Sequence, residues 1–173
     1  ASKYLNKATL LMLYNSFVLP YLRYGNIIWG KAASVHVSRL FVLQKRAVRI
    51  VCGAHFLAHT NPLFLDNRIL KIHDLNTYLC AQFVFKIYHN IFPSAFSLPF
   101  HITPLVHPHQ TRAITNTTAR IPYCRTSQRQ KTIAIHAPKL FNSDICRKDD
   151  IIKSHSLTHF KKSVFEQIIQ SYR

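Results

Sequence analysis

Two short groups of residues in this sequence carry side chains that could hold metal ions. Asp149 and Asp150 form an acidic doublet, and paired carboxylates can bind the two divalent ions that assist nucleotide transfer. Such a doublet is expected on a tight turn between apolar strands, whereas Arg147 and Lys148 precede this one. We therefore interpret Asp149 and Asp150 as solvated loop residues or as acids at the start of a helix, where they are favourable.

Cys52, His55 and His59 are spaced like part of a zinc site. A fourth ligand is not identifiable, and the paired knuckles that mark structural zinc sites are missing. A buried cysteine beside loop histidines is the better interpretation. No Ser, Thr or Cys is visibly matched to a base and an orienting acid, and the three glycines form no phosphate-binding loop. We expect no catalytic residue, no metal and no cofactor in this chain.

The stronger chemical signal is a set of cations on a helix predicted from Ser34 to Gly53, between a good N-cap residue and a good C-terminal residue. At 100° per residue, four basic residues fall on one arc of about 120°: Arg39, Lys45, Arg46 and Arg49. A separate arc of about 100° carries mostly apolar residues: His36, Leu40, Leu43, Ala47, Ile50 and Val51. The basic arc can follow phosphates while the apolar arc lies in the core. The alternative is a face that only keeps the protein in solution.

The composition favours a polyanionic partner. The 173 residues include 23 Lys and Arg against six Asp and Glu, a formal net charge of +17. With 48% apolar and 12% aromatic residues the chain can bury a core, which argues against a disordered basic tail. Nucleic acid or an anionic membrane surface is therefore the default partner.

The scattered cysteines and the absence of a signal-peptide pattern indicate a reducing, intracellular compartment, nuclear or cytoplasmic. The longest apolar stretch, Ala8 to Leu22, is interrupted and too short to cross a bilayer, so we expect no transmembrane segment. The chain opens at Ala1 in what already reads as a helix. We therefore expect a fragment of a larger protein.

Three compositional zones predict a mainly α fold in one compact unit. Residues 1–92 predict a helical bundle from about residue 3, in which Pro20 kinks or splits the first helix and an apolar core helix runs from Asp74 to Ile91. Five aromatic residues near the start of the chain could stack on bases or sugars, but their helical spacing favours packing in the core: Tyr4, Tyr14, Tyr21, Tyr24 and Trp29.

Residues 93–138 form the second zone, a Pro-rich basic segment predicted to be extended or to form a short hairpin. Its β-rich runs, Ala119–Tyr123 and Lys131–His136, fit a hairpin or extended arms. Three of its arginines are further candidates for phosphate contacts: Arg112, Arg120 and Arg125. The third zone, residues 139–173, ends in an amphipathic helix predicted from Ser156 to Tyr172.

Several segments in succession carry a family resemblance: Leu13–Gly30 (LYNSFVLPYLRYGNIIWG), Leu43–Gly53 (LQKRAVRIVCG), His59–Phe64 (HTNPLF), Ile69–Leu75 (ILKIHDL), Phe85–Asn90 (FKIYHN), Thr111 with Arg112, and Arg125–Asn142 (RTSQRQKTIAIHAPKLFN). Their order and spacing resemble the C-terminal part of reverse transcriptases from LINE-type, non-LTR retrotransposons of the jockey-like and chicken-repeat-like groups. The resemblance spans roughly residues 3–170.

The resemblance implies that residues up to about 92 correspond to the polymerase thumb, whose helices hold the template and primer duplex, and that the rest is post-thumb. It places Arg46 and Arg49 towards backbone phosphates. The palm with its catalytic aspartates is not in this chain, so the resemblance implies no enzyme activity here and makes the missing palm and fingers possible partners. The predicted function is a non-catalytic fragment of an RNA-directed DNA polymerase that binds the backbone of an RNA/DNA hybrid or duplex.

Two alternatives stay open. In the first, the chain is a non-functional structural remnant of a decayed element. In the second, it is a cationic membrane-surface protein with amphipathic helices.

Overall fold

Helices account for most of the residues that the computed structural model describes, which are residues 4–92, 118–154 and 156–172. No strand occurs among these residues, and the predicted mainly α class is confirmed. Contacts divide the chain into two units: unit 1 is Ala1–Asn76 with Glu166–Arg173, and unit 2 is Thr77–Phe165. Arg112 and most of the Pro-rich segment lie outside the described residues. No helix in the described part of the chain is both long enough and apolar enough to span a membrane.

Unit 1 opens with four successive helical segments: α1 (Lys7–Leu13), a π-helical turn (Tyr14–Val18), α2 (Leu19–Arg23) and α3 (Asn26–Trp29). Asn6 caps α1, because its side chain accepts a hydrogen bond of 2.8 Å from the Thr9 amide. Pro20 lies in the first turn of α2, where its missing N–H costs nothing. The π-helical turn ends next to Pro20, but the backbone stays helical there and leaves helical geometry only at Tyr24 and Gly25.

The helix α4 (Ser34–Val51) agrees with the predicted bounds to within two residues. Its N-cap residue is Ala33 rather than Ser34, and no side chain caps this end, so the predicted role of Ser34 is wrong. At the other end Gly53 adopts a φ of 60°. The Gly53 amide bonds to the Ile50 carbonyl at 3.2 Å and the Ala54 amide to the Arg49 carbonyl at 3.0 Å. These two bonds are a Schellman turn, which favours glycine at the left-handed position.

The face of α4 that lies in the core differs from the predicted apolar arc. Val37, Val48 and Val51 are 3%, 0% and 5% exposed, whereas Leu43 and Ile50 of the predicted arc are 57% and 55% exposed. At 100° per residue the buried side is rotated by about 90° from the prediction. The predicted apolar arc is therefore wrong in its orientation.

Gln44 explains this rotation. Its side chain is 2% exposed, and its Nε2 donates hydrogen bonds to the Tyr14 hydroxyl at 3.0 Å and to the Leu70 carbonyl at 2.9 Å. Its Oε1 accepts a bond of 3.0 Å from the Ile72 amide. Buried polar groups need such partners, since each one left unpaired costs about 1–3 kcal/mol. Helical periodicity assigns a glutamine to the surface, so the orientation predicted for α4 differs from the one observed.

The aromatic residues of the first helices divide between core and surface. Tyr14 is 2% exposed, but Tyr4, Tyr21 and Tyr24 are 90%, 79% and 86% exposed, so the prediction of core packing is wrong for these three. The π-helical turn and the left-handed Gly25 interrupt the helical period, and a stripe that is continuous in sequence therefore does not stay on one face.

The rest of unit 1 packs around Phe64 of α5 (Asn61–Asp66), a short helix that the sequence analysis did not predict. The Phe64 side chain is fully buried, and its ring lies 6.1 Å from that of Phe41, centroid to centroid. Asn76 lies in the second turn of α6 (Ile72–Tyr88), and its Nδ2 donates to the Asn26 carbonyl at 2.9 Å. A Cβ on Gly30 would lie 2.4 Å from that Nδ2, so only glycine fits there.

Unit 2 contains the rest of α6, the short helices α7 (Ser127–Gln130), α8 (Ile133–Phe141) and α9 (Asp144–Arg147), and a 3-10 helix (Lys148–Lys153). It also contains α10 (Leu157–Gln170) as far as Phe165, while the last residues of α10 belong to unit 1. Phe85 and Phe160 pack with ring centroids 4.6 Å apart. The Ile152 carbonyl lies 2.9 Å from the His89 Nε2, which donates to it. The predicted core helix and the predicted C-terminal amphipathic helix are both confirmed as helices, with ends shifted by one to three residues.

One predicted β-rich run is wrong. Lys131–His136 was expected to be extended, but α8 begins within it at Ile133. Ile133 and Ile135 alternate as in a strand, yet Ala137, Leu140 and Phe141 continue the apolar pattern at helical spacing, and Ile135 with these three is buried. Packing of that face outweighs the strand preference of the β-branched residues.

Tyr172 makes the stability of unit 1 sensitive to alkaline pH. Its hydroxyl donates to Asp74 at 2.6 Å and accepts from the Lys71 amide at 3.0 Å. Burial, followed by the bond to Asp74, raises the pKa of Tyr172 above its ordinary value of 10.0. Above pH 10 the unfolded chain loses this proton while the folded chain keeps it. The stabilisation is therefore complete below pH 10 and is lost as the pH rises further.

We expect the free energy of unfolding, measured by urea titration between pH 8 and pH 11, to fall above about pH 10. The Tyr172→Phe variant is less stable at pH 8 because it loses both hydrogen bonds, but its stability falls less steeply above pH 10. The same slope in both proteins would show that Tyr172 does not control the alkaline transition.

Candidate nucleic-acid interface

The four predicted cations of α4 differ in how freely they face solvent. Arg39 and Arg46 are exposed, while Lys45 and Arg49 are half-buried. The Lys45 Nζ lies 4.4 Å from the centroid of the Phe41 ring, a cation–π contact. Because seven residues are close to two helical turns, Arg39 and Arg46 lie on nearly the same side of α4. These two arginines are the most accessible of the four cations of α4.

Arg49 has a structural role in addition to its charge. Its Nε donates a hydrogen bond of 2.9 Å to the Ala58 carbonyl. Together with the turn at Gly53, this bond holds residues 54–58 against the last turns of α4. The segment also has internal bonds, from the Ala58 amide to the His55 carbonyl at 2.9 Å and from the Leu57 amide to the His55 Nδ1 at 3.3 Å. Residues 54–58 are thus a fixed loop.

An open groove with a volume of about 610 Å³ lies between this loop and α4. Its apolar lining consists of Val42, Ile50, Ala54, Phe56 and Leu57, and its charged lining consists of Arg46 and Arg49. Phe56 and Leu57 are each 72% exposed. This groove was not among the sites predicted from the sequence. The sequence feature that points to it is Gly53, because a left-handed residue after a helix turns the following residues back along the helix.

Among the described residues, no carboxylate pairs with the cations beside this groove. The first 65 residues of the chain contain eight Lys and Arg and no Asp or Glu. Among the described residues of unit 1, Glu166 pairs with Arg68 and Asp74 accepts from Tyr172. In the part of the chain that the structure describes, no acid forms a hydrogen bond or ion pair with Arg39, Lys45, Arg46 or Arg49. The face therefore carries an uncompensated positive potential.

The remaining predicted cations belong to unit 2 or lie outside the described residues. Arg120 and Arg125 are exposed on an irregular stretch, residues 118–125, and Arg112 is outside the described ranges. Asn142 fixes the start of this stretch, since its Oδ1 accepts from the Ala119 amide at 2.8 Å and its Nδ2 donates to the Ala119 carbonyl at 2.9 Å. The structure thus brings the four α4 candidates together on one helix, while Arg120 and Arg125 belong to the other unit.

The cysteines and histidines do not form a metal site in the described parts of either unit, where no group of three or more potential ligands is close enough to hold an ion. Cys52 instead accepts a hydrogen bond of 3.1 Å from the Asn67 Nδ2. All four cysteines are free thiols. Burial raises the pKa of Cys146 to about 12, so this thiol stays protonated at neutral pH.

Comparison with known proteins found no matching family model and no matching solved structure. Two polymerases of Drosophila melanogaster are similar to part of the chain. The probable RNA-directed DNA polymerase from transposon X-element is 27% identical over 64 residues, which are 37% of this chain and 7% of that protein. The RNA-directed DNA polymerase from mobile element jockey is 25% identical over 83 residues, which are 48% of this chain and 9% of that protein.

The matched stretches cover less than half of this chain and less than a tenth of either polymerase. These partial similarities support a relation between this chain and the reverse transcriptases of LINE-type retrotransposons.

Proposed function

We propose that this chain is a thumb and post-thumb part of a LINE-type reverse transcriptase and that it binds the backbone of a template–primer duplex without catalysing a reaction itself. The observation that carries the proposal is the pair of exposed arginines, Arg39 and Arg46, on one side of α4. The relation to two RNA-directed DNA polymerases supports it. The palm and fingers of the parent polymerase are the proposed protein partners, in the nucleus or cytoplasm.

The spacing of the two arginines suits a nucleic-acid backbone. At a rise of 1.5 Å per residue, seven residues separate them by about 10 Å along the helix. A duplex rises by about 3.4 Å per nucleotide along its axis, so α4 lying along that axis places the two guanidinium groups about three nucleotides apart, next to different phosphates of one strand. Contacts of this kind fix the position of the protein but carry no base information, so we expect no sequence preference.

The salt dependence of binding tests the proposal. The purified chain is titrated against an RNA/DNA hybrid, duplex DNA and single strands at several salt concentrations. We expect submicromolar binding with a preference for the hybrid. The plot of log K against log salt concentration has a slope between about −2 and −4, since each of two to four neutralised phosphates contributes about −0.9. Weak binding that is the same for every substrate would contradict the proposal and favour a non-functional remnant.

A competition experiment separates the proposal from the membrane-surface alternative. The chain is mixed with anionic lipid vesicles and floated with and without duplex nucleic acid. Release from the vesicles by duplex supports the proposal, whereas flotation that duplex does not reduce favours a membrane-surface protein.

A further inference from the structure

At the groove beside α4, a cationic surface and an apolar surface meet within one helical turn. Arg46 belongs both to the exposed cationic face and to the lining of the groove, next to Ile50. The Phe56 ring, 72% exposed, lines the same groove. A ligand that fits this surface carries a negative charge next to a flat apolar group.

The shape of the groove is fixed by bonds within the chain. The Schellman turn at Gly53 and the bond from the Arg49 Nε to the Ala58 carbonyl hold the loop that carries Phe56. The His55 ring lies 4.8 Å from the Phe56 ring, centroid to centroid, and supports it. The terminal nitrogens of Arg49 form no hydrogen bond with any described residue, so they remain available to an anion. A preformed site binds with a smaller loss of conformational entropy.

We propose that this groove binds one unpaired nucleotide, with its base against Phe56 and its phosphate on Arg46 and Arg49. The chain then recognises the junction between a duplex and a single strand rather than a duplex alone. This inference rests on the proposed function, because the strand held by Arg39 and Arg46 continues into the groove. Stacking on an exposed aromatic ring is the usual way in which proteins bind unpaired bases without sequence preference.

Charge and continuity favour a nucleotide over an acidic peptide. A nucleotide carries its phosphate and its flat ring within one residue, which matches a groove lined by both Arg46 and Phe56. The groove also continues the cationic face of α4, to which a polynucleotide binds along its length. An acidic amphipathic peptide remains an outcome that the experiment can detect.

Fluorescence anisotropy with the full chain tests the inference with three probes. They are a blunt RNA/DNA hybrid, the same hybrid with a short single-stranded extension, and the hybrid with an abasic extension that keeps the phosphates. We expect the extension with bases to bind about tenfold more tightly than the blunt hybrid. The abasic extension should gain less than the extension with bases, because it keeps the phosphate contacts with Arg46 and Arg49 but has no base to stack on Phe56.

The Phe56→Ala variant should reduce the tenfold gain to that of the abasic extension and keep its affinity for the blunt hybrid, while Phe56→Tyr keeps the full gain because it keeps the ring. Tyr21→Ala is the matched control, since Tyr21 is a 79% exposed aromatic residue of the same unit outside the groove. It should change neither affinity. Circular dichroism of each variant confirms that the helices are retained.

Each other outcome overturns a defined statement. Equal affinity for blunt and extended hybrids, or equal gains from the normal and the abasic extension, overturns the nucleotide site and leaves the proposed function intact. Base-dependent binding of a single strand without binding of the blunt hybrid overturns the proposed duplex function instead. A labelled acidic amphipathic peptide that binds, and binds less well to Phe56→Ala, shows that the groove is a peptide site. No binding of any nucleic acid overturns both proposals.

Discussion

Replacing Arg39 and Arg46 with glutamate lowers the affinity for an RNA/DNA hybrid by about 100-fold at low salt. Both side chains are exposed on the same side of α4, so reversing their charge removes two phosphate contacts and adds two repulsive ones. The slope of log K against log salt concentration becomes shallower by about 2, roughly 1 for each phosphate that is no longer neutralised. Because the contacts are to the backbone, the fall in affinity is equal for hybrids of different sequence.

Arg49 is left unchanged in this experiment. Its position on the basic arc predicts the same role as that of Arg46, but its Nε bonds to the Ala58 carbonyl. A glutamate there would disturb the loop as well as the charge, and the two effects could not be separated.

The matched control reverses the charge of Lys7 and Arg23, which are also exposed and also belong to unit 1. This control has the same net charge as the test variant but keeps the cations of α4. We expect its affinity to fall by less than about tenfold, as a general charge effect. An equal fall in the two variants would show that total charge, and not the face of α4, governs binding. An unchanged affinity in the test variant would exclude this face altogether.

Replacing Gln44 with leucine lowers the free energy of unfolding by about 3 kcal/mol or more. Leucine fills much of the same volume but leaves the Tyr14 hydroxyl, the Leu70 carbonyl and the Ile72 amide without the partners they have now. Each buried polar group without its partner costs about 1–3 kcal/mol. The apolar gain from one leucine does not offset three such costs.

Urea unfolding followed by circular dichroism measures this change. Gln130→Leu serves as the control, because Gln130 is exposed on α7 and its replacement should change the free energy of unfolding by less than about 0.5 kcal/mol. Tyr14→Phe removes only one of the three bonds and should cost about 1 kcal/mol. A decrease below about 1 kcal/mol in Gln44→Leu would mean that the buried amide does not determine the orientation of α4.

Local signals in the sequence were sufficient for the positions of most long helices. Gly53 acts through its own backbone geometry, so its effect on the helix end could be read without knowing any partner. Helix ends that depend on other residue types were harder to locate. Asn90, which has a φ of 53° just after α6, ends that helix in place of a glycine, and the prediction ran on to Ile91.

The candidate interface could be predicted only in part. The charges of Arg39 and Arg46 and their helical spacing are properties of the chain itself, and they indicate α4 from the sequence alone. The groove depends on the return of residues 54–58 and on the bond between Arg49 and Ala58, which join residues nine positions apart. Exposed Phe56 and Leu57 resemble core residues in a sequence, because hydrophobicity alone does not say which side chains are covered.

By itself, the sequence determined the mainly helical class, the strong positive charge, the positions of the main helices and the likeness to LINE-type reverse transcriptases. These properties depend on composition, on local backbone preferences and on the order of short segments. Only the tertiary structure decided which side of α4 is buried, that Ile133 begins a helix, and that Phe56 lines a groove. Each of these depends on contacts between distant parts of the chain, such as the bonds of Gln44 to Leu70 and Ile72, and such contacts leave no periodic trace in the sequence.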